Sequence, residues 1–211
     1  MLSGAGDGDV GLRCEDPPEL LRARRDLVAP GPWRYARQCH GDGVVVLGPA
    51  EPCQGREADA LVSSLPGAPL AVFSADCALI GLASPEGVVG AVHAGWRGLL
   101  AGVIERAATA MSALGASHPV AVVGPLIGPE CYEFGAAELA ALRARYGDTV
   151  VAETASGHPA LDLRAGVHRA LEAAGAELAL DSGLCTACDP GFFSWRARGE
   201  RARQCLVVTA A

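Results

Sequence analysis

Lysine and asparagine are absent from the 211 residues, and aromatic side chains make up only 5% of them. Without lysine, Schiff-base chemistry and Walker-type phosphate binding are excluded, so a bound phosphate must be held by arginine or by backbone amides. All 17 basic residues are therefore arginine, against 24 acidic ones, and the net charge is −7. No run of arginine stands out, which argues against capture of nucleic acid or of an anionic membrane and leaves small molecules as the expected partners. Met1-Leu-Ser-Gly-Ala-Gly-Asp-Gly-Asp has neither a basic nor an apolar stretch, so it is not expected to be a secretory signal, and a cytoplasmic location is expected. The most apolar stretch, residues 70–96, is broken by Asp76, Pro85 and Glu86, so no membrane span is expected either.

What is present points to a compact core. Half of the residues are hydrophobic and 19% charged, with a mean hydropathy of +0.25, a composition that excludes a disordered chain. The length suits one domain, residues 1–211, able to bury about 70% of its unfolded surface without staples. Eight cysteines (14, 39, 53, 77, 131, 185, 188 and 205) are expected to be free thiols in a reducing compartment.

The pattern predicts a helix over 19–28, an extended segment over 33–38, and short strands over 44–47, 60–62, 70–73, 79–82 and 88–92. Apolar residues at Leu99, Leu100, Val103, Ile104, Ala107, Ala108 and Met111 predict one amphipathic helix over 98–114, stopped by Gly115. A strand at 120–123, helices over 136–146 and 163–174, and a last strand near 205–208 follow. Strands and helices mix without strict βαβ alternation, which indicates an α+β fold with mixed sheets.

Three segments join metal-capable side chains to glycine: Gln38-Cys-His-Gly41, Ser74-Ala-Asp-Cys77 and Ala91-Val-His-Ala-Gly-Trp-Arg-Gly98. The last two flank a hairpin turning at Ser84-Pro-Glu-Gly87, a register that brings Cys77 within a residue of His93. Adding His40 makes a Cys and two His, a donor set suited to Zn2+ with one position open for water or substrate. Zinc would lower the pKa of a bound water to about 7. Arg97, after Gly-Trp at a helix start, and Arg37 are candidates for binding phosphate. Trp96 is a candidate for stacking on a flat ligand, and Asp76, beside Cys77, for carrying a proton or buttressing a metal-bound His. The pair Cys185-x-x-Cys188 finds no second pair to complete a four-cysteine site and is read as structural.

Arg-Gln-Cys-His-Gly (37–41), Ala-Asp-Ala-Leu-Val (58–62), Ala-Asp-Cys (75–77), Val-His-Ala-Gly-Trp-Arg-Gly (92–98), Gly-Pro-Leu-Ile-Gly-Pro-Glu-Cys-Tyr-Glu (124–133) and Phe-Phe-Ser-Trp-Arg (192–196) resemble, in order and spacing, the laccase-domain family first described as multicopper polyphenol oxidases. The resemblance spans roughly residues 11–209. It implies a zinc-dependent purine nucleoside phosphorylase with adenosine deaminase activity, one bacterial branch of the family being peptidoglycan editing factors. It further implies His40, Cys77 and His93 as zinc ligands, with Cys77, His93 and Asp76 at the reacting centre and Arg37 and Arg97 on substrate or phosphate. The implied fold is a sandwich of mixed β-sheets flanked by helices, related to the cysteine-hydrolase domain of a cytotoxic necrotising factor.

The sequence also departs from the family pattern. An opening Arg-x-Gly-Gly-x-Ser motif, with a Ser-Leu-Asn-Leu string after it, has no counterpart before Cys14. Arg24 stands where an Asn is usual, Cys39 where Val is common, and Glu130 where a small residue or Cys is frequent. An altered nucleoside specificity is the expectation if the unmatched segment lines the pocket. Four-copper oxidation fails on inventory, since the chain has five His and no His-x-His pair. Two other readings stay open: a metal-free Cys77/His93 hydrolase acting in peptidoglycan editing, and a binding protein with reduced activity. The oligomeric state is not legible.

Overall fold

A computed structural model describes residues 1–48, 53 and 55–211. In chain order the elements are α1 (Pro18–Val28), β1 (Val44–Leu47), β2 (Ala60–Ser63), β3 (Leu70–Ser74), β4 (Ala78–Ala83), β5 (Val89–Ala94), α2 (Trp96–Ala101), α3 (Val103–Ala113), β6 (Val120–Val123), α4 (Ala136–Tyr146), β7 (Val151–Glu153), β8 (Pro159–Leu161), α5 (Leu163–Ala173), β9 (Glu177–Asp181), α6 (Trp195–Arg198) and β10 (Gln204–Val208). Six strands form one mixed sheet in the order β1-β2-β5-β4-β6-β9, while β10 pairs with β3 and β7 with β8. The β1–β2 and β6–β9 pairs are parallel, and the sheet is otherwise antiparallel.

The central strands are covered on both faces, which is why β3, β4 and β5 read as unbroken apolar runs rather than as alternation. On one face, Val62, Ile80 and Val92 pack with Leu99, Ile104, Met111 and Val167 of the helices. On the other, Leu61, Leu79 and Ala91 pack with Leu70, Val72 and Leu206 of the β3–β10 ribbon. The outer side of that ribbon is closed by Val28, Ala29 and Trp33 around Phe73 and Cys205. The result is a four-layered α+β sandwich. Met1 to Ser3 run along β10, with the Met1 amino group donating to the Val207 carbonyl at 2.6 Å and Ser3 N donating to Cys205 O at 3.0 Å.

Most expected elements are present with small shifts of boundary. The long helix is not one: Gly102 takes a left-handed φ of 92° and divides it into α2 and α3. A Cβ at Gly102 would stand 2.8 Å from the Arg145 guanidinium, so this break also admits α4. The strands β7, β8 and β9 were not expected. They are short or on an edge, and β9 exposes most of its side chains, so neither burial nor period marks them.

Candidate metal centre and active site

Two strand ends and one loop meet at His40, Cys77 and His93, whose donor atoms all lie within 4.8 Å of one another. The two imidazoles meet edge to face with centroids 4.9 Å apart. His93 lies near the end of β5. The hairpin register differs by one residue from the turn-based expectation, because Ser84 N bonds Val88 O at 2.9 Å around a loop ending in Gly87 with φ 81°. His93 therefore faces Leu79, and the β4–β5 ladder continues to Ala78 and Ala94 with no bulge. Cys77, two residues before Leu79, falls on the same face by the period of the strand.

His40 is held in the left-handed region, at φ 61°, by a carboxylate that sequence reasoning had quoted without assigning it a role. Asp59 is fully buried. Its two oxygens accept the consecutive backbone N–H groups of Cys39 (3.1 Å), His40 (3.0 Å) and Gly41 (2.8 Å). Its Oδ1 also meets Nδ1 of His93 at 2.8 Å, and its own carbonyl accepts His93 N at 2.8 Å. With Asp59 ionised, Nδ1 of His93 must donate, which fixes the tautomer and leaves Nε2 as the atom able to ligate a cation. The carboxylate behind His93 is thus Asp59, not Asp76.

Charge follows this geometry. Burial would raise the Asp59 carboxyl, but His93 and the backbone donors hold it down at about 2. For Cys77 burial again pushes up, yet hydrogen bonds from His40 and His93 bring the thiol down to about 6. Burial would lower His93, while Asp59 and Cys77 raise it to about 9. At neutral pH the bare site is a thiolate against an imidazolium, ready to exchange that proton for a cation.

Glycine makes room for the cluster. A Cβ at Gly95 would stand 2.9 Å from both the Cys77 sulfur and His40 Cδ2, and one at Gly98 would stand 2.8 Å from the carbonyl of Gly41. The His-Ala-Gly-Trp-Arg-Gly string therefore supplies a ligand and the space for the other two. One soft thiolate and two imidazoles, with no further His, Cys, Asp or Glu donor joining them among the described residues, fit a zinc ion with an open coordination position.

Asp76 is buried and held at φ 102°. Its Oδ1 accepts the Thr186 hydroxyl and its Oδ2 the backbone N–H of Arg196, each at 2.7 Å, while its carbonyl accepts Ile127 N at 2.9 Å. It ties the Cys77 segment to two loops. Trp96 packs edge to face with Phe134 at 5.5 Å, Phe134 packs on Tyr132 at 5.3 Å, and Arg97 lies over the Trp96 ring at 4.4 Å. Arg196 lies over Tyr132 at 5.0 Å. Burial, and the neighbouring charges of Cys77 and Asp76, push the Tyr132 hydroxyl up, with Arg196 and Arg97 opposing. Arg37 stands apart from these groups, in an exposed ion pair with Glu57. Tyr132 and Arg196 had been read only as parts of motifs and Phe134 not at all, since nothing local in the sequence tells which aromatic or arginine faces a site.

A sequence profile of the family described as multi-copper polyphenol oxidoreductase laccase matches residues 6–211. The chain belongs to this family. A relative named as a purine nucleoside phosphorylase from Streptomyces coelicolor is 39% identical over 198 residues, covering 89% of this chain and 81% of the relative. Another with that name, from Deinococcus radiodurans, is 38% identical over 205 residues, covering 93% and 79%. Among solved structures, YfiH of Bacillus licheniformis superposes with a TM-score of 0.85 at 25% identity, covering 96% of this chain and 85% of that one. YlmD of Geobacillus stearothermophilus gives 0.83 at 27% identity, covering 96% and 84%. The superpositions make the mixed-sheet fold a shared feature rather than an accident of this chain.

Proposed function

We propose that this chain is a zinc-dependent purine nucleoside phosphorylase that also deaminates adenosine. The observation that carries the reading is the His40–Cys77–His93 cluster with Asp59 behind it, taken with relatives named for that activity. In phosphorolysis, phosphate replaces the base on the ribose, giving free purine and ribose 1-phosphate. In deamination, water replaces the six-amino group and ammonia leaves. Zinc held by His40, Cys77 and His93 would supply Lewis acidity and an acidified water.

The other groups have distinct tasks. Trp96, Phe134 and Tyr132 offer aromatic surface for a purine. Arg97 is assigned the phosphate, because no carboxylate among the described residues pairs with it, whereas Arg37 is taken by Glu57. Asp76 holds the floor of the site through Thr186 and Arg196 and is the candidate proton carrier beside Cys77. All eight cysteines are free, which supports a cytoplasmic setting. No helix among the described residues is long and apolar enough to cross a membrane.

The test is to purify the chain, measure zinc, and incubate it with adenosine with and without phosphate, separating adenine from inosine beside a Cys77→Ala control. Adenine that forms only with phosphate and is lost in the variant is expected. Zinc without either product would favour a binding role. Turnover without zinc would favour the Cys77/His93 thiol hydrolase.

A further inference from the structure

A second cluster of metal-binding groups lies outside the site described above. Glu130, Cys131, Cys185 and Cys188 each offer a donor atom, and all four atoms lie within 4.8 Å of one another. Sequence spacing left Cys185-x-x-Cys188 without a partner pair; the fold supplies Cys131 and Glu130 from a loop 57 residues away. We propose that these four residues form a second, closed metal site for a borderline-soft divalent cation, zinc by donor type, with a structural role.

The donor spacing suits four corners around one ion. Cys131 and Cys188 sulfurs stand 3.4 Å apart, and Cys188 Sγ is 3.3 Å from Glu130 Oε1. A disulfide would need about 2.05 Å, whereas sulfurs at two corners of a tetrahedron around zinc are about 3.8 Å apart, given Zn–S bonds of about 2.3 Å. Cys131 and Cys185 are half-buried and Cys188 is exposed, so a cation can reach the cluster from solvent. Cys185 Sγ already accepts the backbone N–H of Gly128 at 3.1 Å, as a metal-bound thiolate does.

The frame around the cluster is built. Residues Leu126 and Cys185 form a β-bridge, with Thr186 N donating to Leu126 O at 3.1 Å. Arg198 donates to the carbonyls of Thr186 (3.2 Å) and Ala187 (3.0 Å), and Arg164 to that of Leu184 (2.8 Å). Both joined segments reach Asp76: Ile127 through its N–H and Thr186 through its hydroxyl. A cation at the cluster would lock together the two loops that hold the floor under Cys77.

The experiment reads metal content and ligand type separately from turnover. Zinc-replete wild type should carry about two zinc ions per chain, and Cys131→Ser or Cys188→Ser about one. Chelator-treated Cys77→Ser, which lacks the only thiol of the first site, should bind cobalt(II) with tetrahedral visible bands and thiolate-to-cobalt charge transfer. Adding Cys188→Ser should weaken that charge transfer, and Glu130→Gln should move the visible bands while keeping it. The cobalt spectrum of Cys77→Ser decides the matter by itself if the other variants fold poorly. Zinc-replete Cys77→Ser carrying no zinc, no charge transfer in Cys77→Ser, or a Cys131–Cys188 disulfide in the intact mass would each overturn the proposal. Loss of zinc from the His40 site alone would overturn the functional reading and leave this one standing.

Discussion

Replacing Asp59 by Asn keeps its shape and removes its charge. In the wild type Oδ1 takes the N–H of His40 and Nδ1 of His93, and Oδ2 takes the N–H groups of Cys39 and Gly41. An Asn can keep its oxygen on only one of these pairs, so its NH2 must face two donors. Oxygen retained toward His93 turns the NH2 against the part-buried N–H groups of Cys39 and Gly41, at up to about 1–3 kcal/mol each, the low end applying where water reaches the donor. The other orientation puts NH2 against His93, which then turns its own proton toward Cys77 and ceases to be a ligand. Urea unfolding of the metal-free protein should show the stability loss, and competition with a chromogenic chelator should show zinc held about 10–100-fold more weakly. A variant within about 0.5 kcal/mol of wild type, a surface-like effect, and with unchanged zinc affinity would refute the assignment of Asp59.

Zinc affinity should rise with pH. The raised His93 holds its proton up to about 9 and must release it to bind, and below about 6 the Cys77 thiol must be emptied too. Chelator competition should thus give about tenfold per pH unit from about 6.5 to 9, and a flat profile would count against it. For the metal-free chain the same pair makes stability nearly level over that window. His93, raised from 6.5, contributes stability that is full below 6.5 and fades as pH climbs through about 9; Cys77, lowered from 9.0, contributes stability present above 9.0 that fades as pH falls through about 6. Cys77→Ser, which lacks the compensating thiolate, should tilt that plateau in a denaturation series. Gly95→Ala, whose methyl would crowd Cys77 and His40 at 2.9 Å, should lose zinc at the first site while retaining its far-ultraviolet spectrum. Arg97→Ala should raise the KM for phosphate roughly 10- to 100-fold, the worth of a charged hydrogen bond, and leave deamination largely intact.

The three clustered side chains His40, Cys77 and His93 were legible because each sits in a local string that glycine and strand patterning make unusual. Their register was legible to within one residue, as the turn at Ser84 could be recognised but not its loop length. Asp59 was not, because its work is done on the backbone of a loop 18 to 20 residues earlier and on a ring 34 residues later, and no periodicity records such bonds. Gly102 looked like a tolerated glycine within an amphipathic run, and only the packing of Arg145 explains the turn there. The second cysteine cluster was hidden for a similar reason: its donors join through the Leu126–Cys185 bridge, a contact between distant loops.

The manner in which Asp59 organises its loop sets an order of events. Its carbonyl and carboxylate grip His93 just as β2 pairs with β5, and the three amides of Cys39 to Gly41 close onto the same side chain. A carboxylate, not a cation, gathers the histidines. Such non-local strand pairing is a late and slow step in folding, so a metal arriving early would find thiol and imidazoles still scattered along the chain. On the proposed function, zinc would therefore enter last, into a socket already formed, and withdrawing it should return an intact scaffold that reloads without refolding.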